Sequence, residues 1–419
     1  MATDVAGPLS TPAEGPSTAS GIHAGRSATA IGLALALAAQ WLVLRFSHVE
    51  LAPHYEALLA GTGIFGAAFL LSWGAEVAQL DIPQALALAF LALVAVLPEY
   101  TVDIYFAWRA GKDPVYTAFA TANMTGSNRL LIGVGWPAVV IAVWLTTRRR
   151  SIEIASDHGI ELFYLLLATI YSLVLPFKAT LSLWDAVALL AIFGFYAVAA
   201  ARAHVVEPEL EGVSEFIAAF GVVGRRVVTI ALFAVAGFTI LMAAEPFAEG
   251  LLATGRRFGI EEFLLVQWLA PLASESPEFI VAILFAIRGN AGAAMGTLIS
   301  SKVNQWTLLI GMLPLAYGTS SGNLMNAMHL DPRQVEEILL TAAQSLLAVV
   351  VLADFRFSLG EGLVFFVLFA TQMIWTSPEF RYYYSFLYLV LAIAFVAMRP
   401  VVRQSLWGLL RGPNAGRGV

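Results

Sequence analysis

Apolar residues run along this chain in long blocks, each near or above the roughly 20 residues that a helix needs to cross a membrane. Twelve blocks can be marked, and each predicts a spanning helix. They cover residues 28–46, 57–80, 83–108, 115–147, 160–177, 182–201, 226–246, 261–287, 292–318, 335–353, 359–376 and 382–398. The fourth block is too long for one straight helix and contains the polar sequence ANMTGSNR, which predicts a single broken span.

The composition supports a multi-spanning membrane protein. Of the 419 residues, 59% are hydrophobic and only 12% are charged, which is far from the average of soluble globular domains. The chain has no cysteine, so disulfides, thiolate nucleophiles and cysteine metal sites are excluded. Residues 1–27 are rich in Pro, Gly, Ser, Thr and Ala and predict a disordered N-terminal tail rather than a signal peptide.

Loop charges predict the orientation. Lysine and arginine are more frequent in the loops on the side of the N-terminus, which predicts that both termini are cytoplasmic and that the protein is integral to the plasma (inner) membrane. Residues 399–419 then form a cytoplasmic tail. The polar stretch 202–225 carries four glutamates and predicts a solvated acidic linker between two halves.

A Pro-Glu pair occurs twice inside apolar blocks, as Pro98-Glu99 and Pro277-Glu278. Each pair is followed by a helix, an Arg-Gly element and a small-residue segment that ends near Leu-Ile-Gly. Internal similarity at this distance indicates a duplicated transporter fold. Because five spans fall in each copy, the second copy enters the membrane upside down.

The predicted fold is therefore an all-α polytopic membrane protein with two inverted five-helix repeats. The repeat units are 57–201 and 226–376, and the spans at 28–46 and 382–398 are additions at the two ends.

The proline of each Pro-Glu pair frees a backbone carbonyl oxygen near the glutamate. Proline removes the hydrogen bond to the carbonyl four residues earlier, so Pro98 frees the carbonyl of Val94 and Pro277 frees that of Ala273. A glutamate in a membrane helix is unfavourable by about 2.5–3.5 kcal/mol on insertion scales, which marks it as functional by default. A carboxylate beside a free carbonyl is an oxygen-rich cation site. We expect the inverted copies to bring Glu99 and Glu278 together near the membrane midplane.

The other interpretation is structural: a proline kink, with a glutamate that snorkels or pairs with arginine. A third copy, SPEF at 377–380, lies at the end of a span and has no small-residue helix after it. Glu379 and Arg381 are accordingly interpreted as interfacial.

The paired segments resemble the two α-repeats of the cation/Ca²⁺ exchanger superfamily, whose pattern is Gly-Thr-Ser-x-Pro-Glu followed by a helix with Gly-Asn-x-x-Gly-Ser-Asn. NMTGSN at 123–128 matches the second element well, and GTLISSK at 296–302 matches it in outline. The resemblance covers about 57–376. It implies ten core helices, ion sites between the four repeat helices, and cation antiport by alternating access.

The resemblance also implies a set of ion-binding residues: the carboxylates of Glu99 and Glu278 as metal ligands, joined by neutral oxygen ligands. The neutral ligands are Asn123, Thr297, Ser274 and the carbonyls of Val94 and Ala273. Two hydroxyl ligands of the family are missing, because Val94, Ala95 and Val96 replace its Gly-Thr-Ser.

Two cations depart from the family pattern. Lys302 takes the slot of the final asparagine in the second repeat, and Arg129 directly follows Asn128. Either cation occupies the position of an ion, or it pairs with Asp103 or Glu275, which lie on the same helix faces as Glu99 and Glu278. These four residues are predicted to modulate the site, and they leave the choice between Ca²⁺ and a cation/proton cycle open.

The predicted function is secondary active antiport of a cation such as Ca²⁺ or Na⁺ against Na⁺ or H⁺. The alternative is a membrane scaffold related to the exchangers that has lost transport. No acid–base or metal constellation beyond the glutamates predicts an enzyme, and the sequence has no Walker-type glycine loop. The expected partners are the lipid bilayer and small inorganic cations, without nucleic acid and without a cofactor other than the transported ions.

Overall fold

The computed structural model describes residues 18–81, 97–202, 210, 212–375 and 377–410. Within these ranges the chain is almost entirely helical. The helices of the first half are α1 (Thr18–Phe46), α2 (Pro53–Ala78), α3 (Leu97–Ala110), α4 (Tyr116–Leu130), α5 (Trp136–Thr147), α6 (Gly159–Ser172), α7 (Leu175–Lys178), α8 (Leu183–Ala201) and α9 (Val213–Ala218). Those of the second half are α10 (Val222–Phe258), α11 (Glu262–Ile287), α12 (Ala291–Asn304), α13 (Ile310–Ser320), α14 (Pro332–Leu352), α15 (Leu359–Ile374), α16 (Pro378–Met398) and α17 (Pro400–Leu410).

Nine helical stretches of the described chain are long and apolar enough to cross a membrane. α15 is a shorter apolar helix of the same character. The prediction of an all-α polytopic membrane protein is confirmed. The expected span at 83–108 is described only from Leu97 onward, and its earlier part lies outside the described residues.

The expected broken span at 115–147 is one continuous helical run. α4 passes into a π-helical segment, Leu131–Gly135, and then into α5 without a loop. The second half repeats this arrangement, because α12 passes through the π-helical segment Gln305–Leu309 into α13. A π segment places an extra residue in a turn and rotates the helix face that follows. The same irregularity in both halves is a structural mark of the repeat.

Four short strands join the two halves. They are β1 (Ser151–Glu153), β2 (Thr180–Leu181), β3 (Met328–His329) and β4 (Arg356–Ser358). β1 of the first half pairs with β4 of the second, and β2 of the first half pairs with β3 of the second, both antiparallel. The pairing is reciprocal: in each ribbon, a strand that follows the third helix of one repeat meets a strand that follows the fourth helix of the other.

Backbone details at the two ribbons repeat as well. Ala179 and Phe355, each directly before a strand, both adopt a left-handed conformation. Their carbonyls accept hydrogen bonds at 2.9 Å from the N–H of Leu330 and at 2.8 Å from the N–H of Ile154. α8 and α15 both begin with a capping box, one formed by Ser182 with Asp185 and the other by Ser358 with Glu361. Local sequence therefore encodes the same turn twice.

The helices pack around several apolar clusters. α1, α2, α9 and α10 share one apolar cluster, which includes Leu70, Leu71 and Ile240, and α2 packs along α10. Two larger clusters surround the four helices α3, α4, α11 and α12, and one of them also includes Trp41, Ile64 and Phe247 of α1, α2 and α10. These four helices carry the predicted site residues.

The segments that were predicted as a disordered tail, an acidic linker and a cytoplasmic tail each contain helix. α1 begins at Thr18, within the expected tail 1–27, whose first 17 residues lie outside the described ranges. The expected linker 202–225 contains α9 and the start of α10, and its residues 203–209 and 211 are not described. The expected tail 399–419 contains α17, which packs its buried Val402 and Leu409 into a core cluster. Short apolar stretches beside polar ones favour such helices once a neighbouring surface covers them.

An ion-pair clamp ties α2 to α10 at one membrane face. Arg225 binds both carboxylate oxygens of Asp81, at 3.0 and 2.8 Å, and Arg226 adds a contact of 2.9 Å. The hydrogen bond from Arg225 lowers the pKa of Asp81 below its ordinary value. The clamp therefore stabilises the fold at neutral pH, and this contribution is lost as the pH falls through the lowered pKa.

We expect Asp81→Asn to reduce the free energy of unfolding by about 1 kcal/mol at pH 7. The reason is that the amide keeps the shape of the side chain but loses the charge that both arginines contact. Thermal unfolding in detergent at pH 7, followed by size-exclusion fluorescence, measures the change. Glu215→Gln is the matched control, because Glu215 is exposed on α9. Equal melting temperatures for Asp81→Asn and the wild type would contradict a stabilising clamp.

Candidate ion-binding site

The two repeat-related glutamates lie in one electrostatic neighbourhood. Glu99, at the start of α3, is buried with 2% of its surface exposed. Its Oε2 accepts a hydrogen bond of 3.1 Å from Nε2 of Gln305, while its Oε1 is buried without a hydrogen-bond partner among the described residues. Its charge interacts with those of Glu278 and Lys302. The inverted repeats thus bring carboxylates from α3 and α11 together.

Glu278 has a hydroxyl partner on α12. The Ser301 hydroxyl donates to Glu278 Oε2 at 2.5 Å, and the Glu278 side chain is half-buried. In the other repeat, Ser127 lies close to Glu99 and Glu275. Ser127 lies one turn after Asn123, and Ser301 lies one turn after Thr297. Each repeat therefore supplies a serine hydroxyl near its glutamate, and both hydroxyl oxygens can help to bind a cation.

Two further carboxylates lie in the same region without hydrogen-bond partners. Glu275 is 2% exposed and Asp103 is fully buried. No hydrogen bond of good geometry reaches either side chain within the described part of the chain, although Asn123 lies close to Asp103, and Ser127 and Gln305 lie close to Glu275. The charges of both interact with that of Glu99. Buried carboxylates without partners are unfavourable unless a cation or proton neutralises them, so this region is built to receive positive charge.

Lys302 is built into the site. Its ammonium is fully buried and donates to the backbone oxygen of Asn128 at 3.1 Å and to its Oδ1 at 2.6 Å. It also lies 4.5 Å from the ring centroid of Trp306, in cation–π contact. The charges of Glu275 and Glu99 act on it. The amine therefore lies beside the carboxylates and adds a positive charge to the site whenever it is protonated.

The structure places Arg129 elsewhere, which corrects the expectation that it occupies an ion position or pairs with Asp103 or Glu275. Its Nη1 contacts Glu337 Oε2 at 2.9 Å, and its guanidinium stacks 5.0 Å from the ring centroid of Trp268. Successive residues of a helix point about 100° apart, so Asn128 faces Lys302 while Arg129 faces α14.

Arg381 is also buried rather than interfacial. Its Nε contacts Glu337 Oε1 at 2.9 Å, and its Nη1 contacts Glu336 Oε2 at 3.2 Å. We name Arg129, Glu336, Glu337 and Arg381 the α14 ion-pair cluster. Its glutamates were not anticipated, because both lie in the first turns of an apolar block. Glu379 is exposed and accepts a hydrogen bond from Ser377, as expected of an interfacial residue.

The predicted neutral ligands differ in their surroundings. Asn123 is 1% exposed, and its Oδ1 has no hydrogen-bond partner among the described residues. Ser274 is buried and donates to the carbonyl of Ala270 at 3.1 Å. Ala273 is half-buried, with Pro277 four residues later on the continuous helix α11. Val94 lies outside the described residues.

The structure does not bring Thr297 into the buried group. It is exposed on α12, and its hydroxyl donates to the carbonyl of Ala293 at 3.0 Å. In this conformation Thr297 therefore lies apart from the buried ligands, one turn before Ser301 on the same helix face, and its part in the ion site stays a prediction. Conversely, Gln305 was not predicted as a partner of Glu99, because Gln305 opens a π segment that changes the helix face.

Close helix packing supports the site from one side. Pro271 leaves the carbonyl of Gln267 without its helical hydrogen bond, and Gly126 of α4 lies directly against that carbonyl. A side chain at position 126 would collide with it. The described residues contain no group of three His, Asp or Glu side chains spaced to hold a metal ion. An ion between Glu99 and Glu278 would therefore depend on these two carboxylates and on neutral oxygens.

Comparison with known proteins agrees with this geometry. The family profile described as "Sodium/calcium exchanger protein" matches residues 57–202 and 228–377. The chain belongs to the sodium/calcium exchanger family. It is a secondary active cation antiporter of the exchanger type, integral to the membrane with multiple spans. No curated protein sequence matches the chain.

Solved structures of exchangers are similar to this one. The structure of "H+/Ca2+ Exchanger CAX" has 43% sequence identity and a TM-score of 0.88, covering 93% of this chain and 98% of its own. Native YfkE has 15% identity and a TM-score of 0.61, covering 87% and 98%. The sodium-calcium exchanger NCX_Mj has 17% identity and a TM-score of 0.52, covering 78% and 99%. The last two similarities show the fold alone.

Proposed function

We propose that this exchanger moves Ca²⁺ against H⁺, with Glu99 and Glu278 as the ligands that the two ions share. The observation that carries the proposal is a group of four carboxylates linked through Glu99, with the amine of Lys302 beside two of them, Glu99 and Glu275. With Glu99, Asp103, Glu275 and Glu278 ionised, Lys302 offsets only one of four negative charges. A bound Ca²⁺ neutralises part of the remaining negative charge of the carboxylates. Protons neutralise the rest, because uncompensated charge is unfavourable in a site of low dielectric.

The chemistry of the ligands supports exchange at one site. Carboxylates with hydroxyl and amide oxygens suit Ca²⁺, which takes about 6–8 oxygen ligands. The same carboxylates bind protons when the metal leaves, so one set of groups alternates between the two ions. The similarity to a protein described as an H⁺/Ca²⁺ exchanger, at 43% identity, supports the proton as the counter-ion. No cofactor beyond the transported ions is needed.

The proposal extends to the remaining ligands and to the orientation. Asn123 and Ser274 and the carbonyls of Val94 and Ala273 are proposed to complete the ion shell, and Thr297 to join it only if α12 moves. We infer that 57–201 and 226–376 are the two exchange units, and that both termini lie on the cytoplasmic side of the plasma (inner) membrane. Lysine and arginine in the loops support this orientation.

Purified protein in liposomes tests the choice of counter-ion. With an acidic lumen and external Ca²⁺, we expect Ca²⁺ uptake together with alkalinisation of the lumen, followed by one dye for each ion. An outward Na⁺ gradient at equal pH should drive no uptake. Uptake driven by Na⁺ and not by the pH gradient would overturn the proton assignment. Failure of every cation tested, in protein that elutes as a folded species, would favour the scaffold alternative.

A further inference from the structure

The repeat allows each position near the site to be compared with its partner in the other half. Superposing the π segments, Leu131 on Gln305, places Asn123 on Thr297, Gly126 on Ser300, Ser127 on Ser301 and Asn128 on Lys302. Superposing the left-handed residues, Ala179 on Phe355, places His158 on Gln334, Glu161 on Glu337 and Tyr196 on Gln372. We call the two members of each pair repeat partners. Partners should have equal exposure in a symmetric molecule, so differences between them describe the conformation.

On the second-repeat side of the site, the positions are open. Thr297 is exposed, and Ser300 and Glu278 are half-buried. Their repeat partners in the first half are closed: Asn123 is 1% exposed, Gly126 lies against the Gln267 carbonyl, and Glu99 is 2% exposed. Because a carboxylate in contact with lipid is strongly unfavourable, an opening that leaves Glu278 only half-buried suits water rather than lipid.

Polar groups continue from Ser300 towards the face that carries β1 and β4. The Ser300 hydroxyl lies 2.7 Å from the Tyr196 hydroxyl, and the charge of Glu161 acts on Tyr196. Glu161 lies 3.6 Å from Nδ1 of His158, just after β1. The imidazole of His158 packs directly on Gly296, one residue before Thr297, where a side chain would displace it. These groups line one side of α12 between the site and the β1–β4 face.

The partner of Glu161 has a different environment. Glu337 is 2% exposed and is contacted by Arg129 at 2.9 Å, by Arg381 at 2.9 Å and by Nε2 of Gln267 at 3.0 Å. A cavity of about 140 Å³ remains beside these groups, lined by Arg129, Arg381, Gln267, Trp268 and Gln372 among others. Two of its lining residues are Glu337 and Gln372. Their repeat partners, Glu161 and Tyr196, are among the polar groups between Ser300 and the β1–β4 face. Two guanidinium groups, with a small cavity beside them, therefore occupy part of the region that corresponds to the open side.

We propose that cations reach Glu278 from the β1–β4 face along a path formed by Glu161, Ser300 and Thr297, and that the α14 ion-pair cluster closes the equivalent path on the opposite face. The proposal rests on Glu278 as an ion ligand. Glu161 lies 3.6 Å from the imidazole of His158, which is charged only when protonated, whereas two arginines contact Glu337. Of these two repeat partners, Glu161 is therefore the one whose charge attracts cations. When the site opens to the opposite face, Arg129 and Arg381 must release Glu337. The path on that face then opens, and the path on the β1–β4 face closes.

Cysteine accessibility tests the path without requiring transport. The chain has no cysteine, so Thr297→Cys, Ser300→Cys and Asn123→Cys each introduce a single thiol. A membrane-impermeant thiol reagent is applied in turn to each face of reconstituted vesicles. We expect Thr297→Cys and Ser300→Cys to react from one face only, that of β1 and β4, and Asn123→Cys to react from neither. Position 123 is the matched control, because it is the repeat partner of Thr297.

Three labelling results would overturn the proposal. They are protection of Thr297→Cys from both faces, reaction of Asn123→Cys as fast as Thr297→Cys, or reaction of Thr297→Cys from the opposite face. Labelling of the denatured protein establishes that each thiol is reactive once exposed. If the pattern is as expected but no cation is transported, the proposed function fails while the path stands.

Transport kinetics test the role of Glu161. We expect Glu161→Gln to raise the KM for Ca²⁺ by about tenfold, since a carboxylate that raises the local cation concentration is lost, with kcat nearly unchanged. Glu153→Gln is the control: this glutamate is at the same face in β1 and its side chain is 83% exposed, and we expect no change. An unchanged KM in Glu161→Gln, or an equal change in both variants, would remove Glu161 from the path.

Discussion

Glu99→Gln and Glu278→Gln should each reduce Ca²⁺ transport by on the order of 100-fold. The amide keeps the shape of the side chain but removes a charge that offsets the dehydration of the cation. Losing one partner of a buried charge interaction is unfavourable by several kcal/mol, and each 1.4 kcal/mol is a factor of ten in affinity. Gln305 and Ser301, which donate hydrogen bonds to the two glutamates, can still donate to the amide oxygen, so the fold should persist. Initial uptake rates in proteoliposomes measure the loss.

Glu379→Gln is the control for this pair of variants. The residue also follows a proline within the sequence SPEF, but it is exposed and bonded to Ser377. We expect its transport to equal that of the wild type. Comparable activity in all three variants would refute the assignment of the site, and loss in Glu379→Gln alone would move the site to another part of the chain.

Lys302→Asn should raise the affinity for Ca²⁺ by about tenfold relative to the wild type, which corresponds to roughly 1.4 kcal/mol. The ammonium lies among Glu99, Glu275 and Asn128, and its charge opposes a divalent ion at the same site. Asparagine removes that charge and supplies a carbonyl oxygen where the repeat partner, Asn128, already has one. Isotope uptake over a range of Ca²⁺ concentrations, wild type beside variant, measures the change.

Lys302→Met separates the two contributions, because it removes the charge without adding an oxygen. We expect an intermediate affinity for Lys302→Met, and an unchanged affinity for Lys112→Asn, since Lys112 is exposed in a loop. If Lys302→Asn binds Ca²⁺ no better than the wild type, or loses it, then the lysine supports the site rather than opposing the divalent ion, and our interpretation of this departure from the family is wrong.

The sequence predicts the fold class and the inverted repeat because both follow from long-range patterns. Apolar block length identifies the spans, and the paired Pro98-Glu99 and Pro277-Glu278 motifs reveal the duplication. The neighbourhood shared by Glu99 and Glu278 follows from the same symmetry. Lys302 was expected near the carboxylates, and the structure places it there.

The errors have a common physical origin, which is that spacing along a helix does not determine what the neighbouring helix presents. Arg129 was considered together with Lys302, yet it turns towards Glu337, whose role depends on the packing of α14 against α4. Arg381 was placed at the membrane interface because it lies at the end of an apolar block, yet it is buried and contacts two glutamates of α14. The exposure of Thr297, unlike that of its buried repeat partner Asn123, was also not predictable, because no linear pattern encodes a difference in conformation between the two repeats.

The reciprocal strand pairing has a consequence for biosynthesis. β1 and β2 are made with the first half, but their partners β4 and β3 follow only in the second half. Neither two-stranded ribbon can form while only the first half has been synthesised, and the β1–β4 ribbon can form only after Ser358 has been added. The nascent first repeat therefore leaves the translocon with two unpaired strand edges, and the last step that links the halves falls near the end of translation.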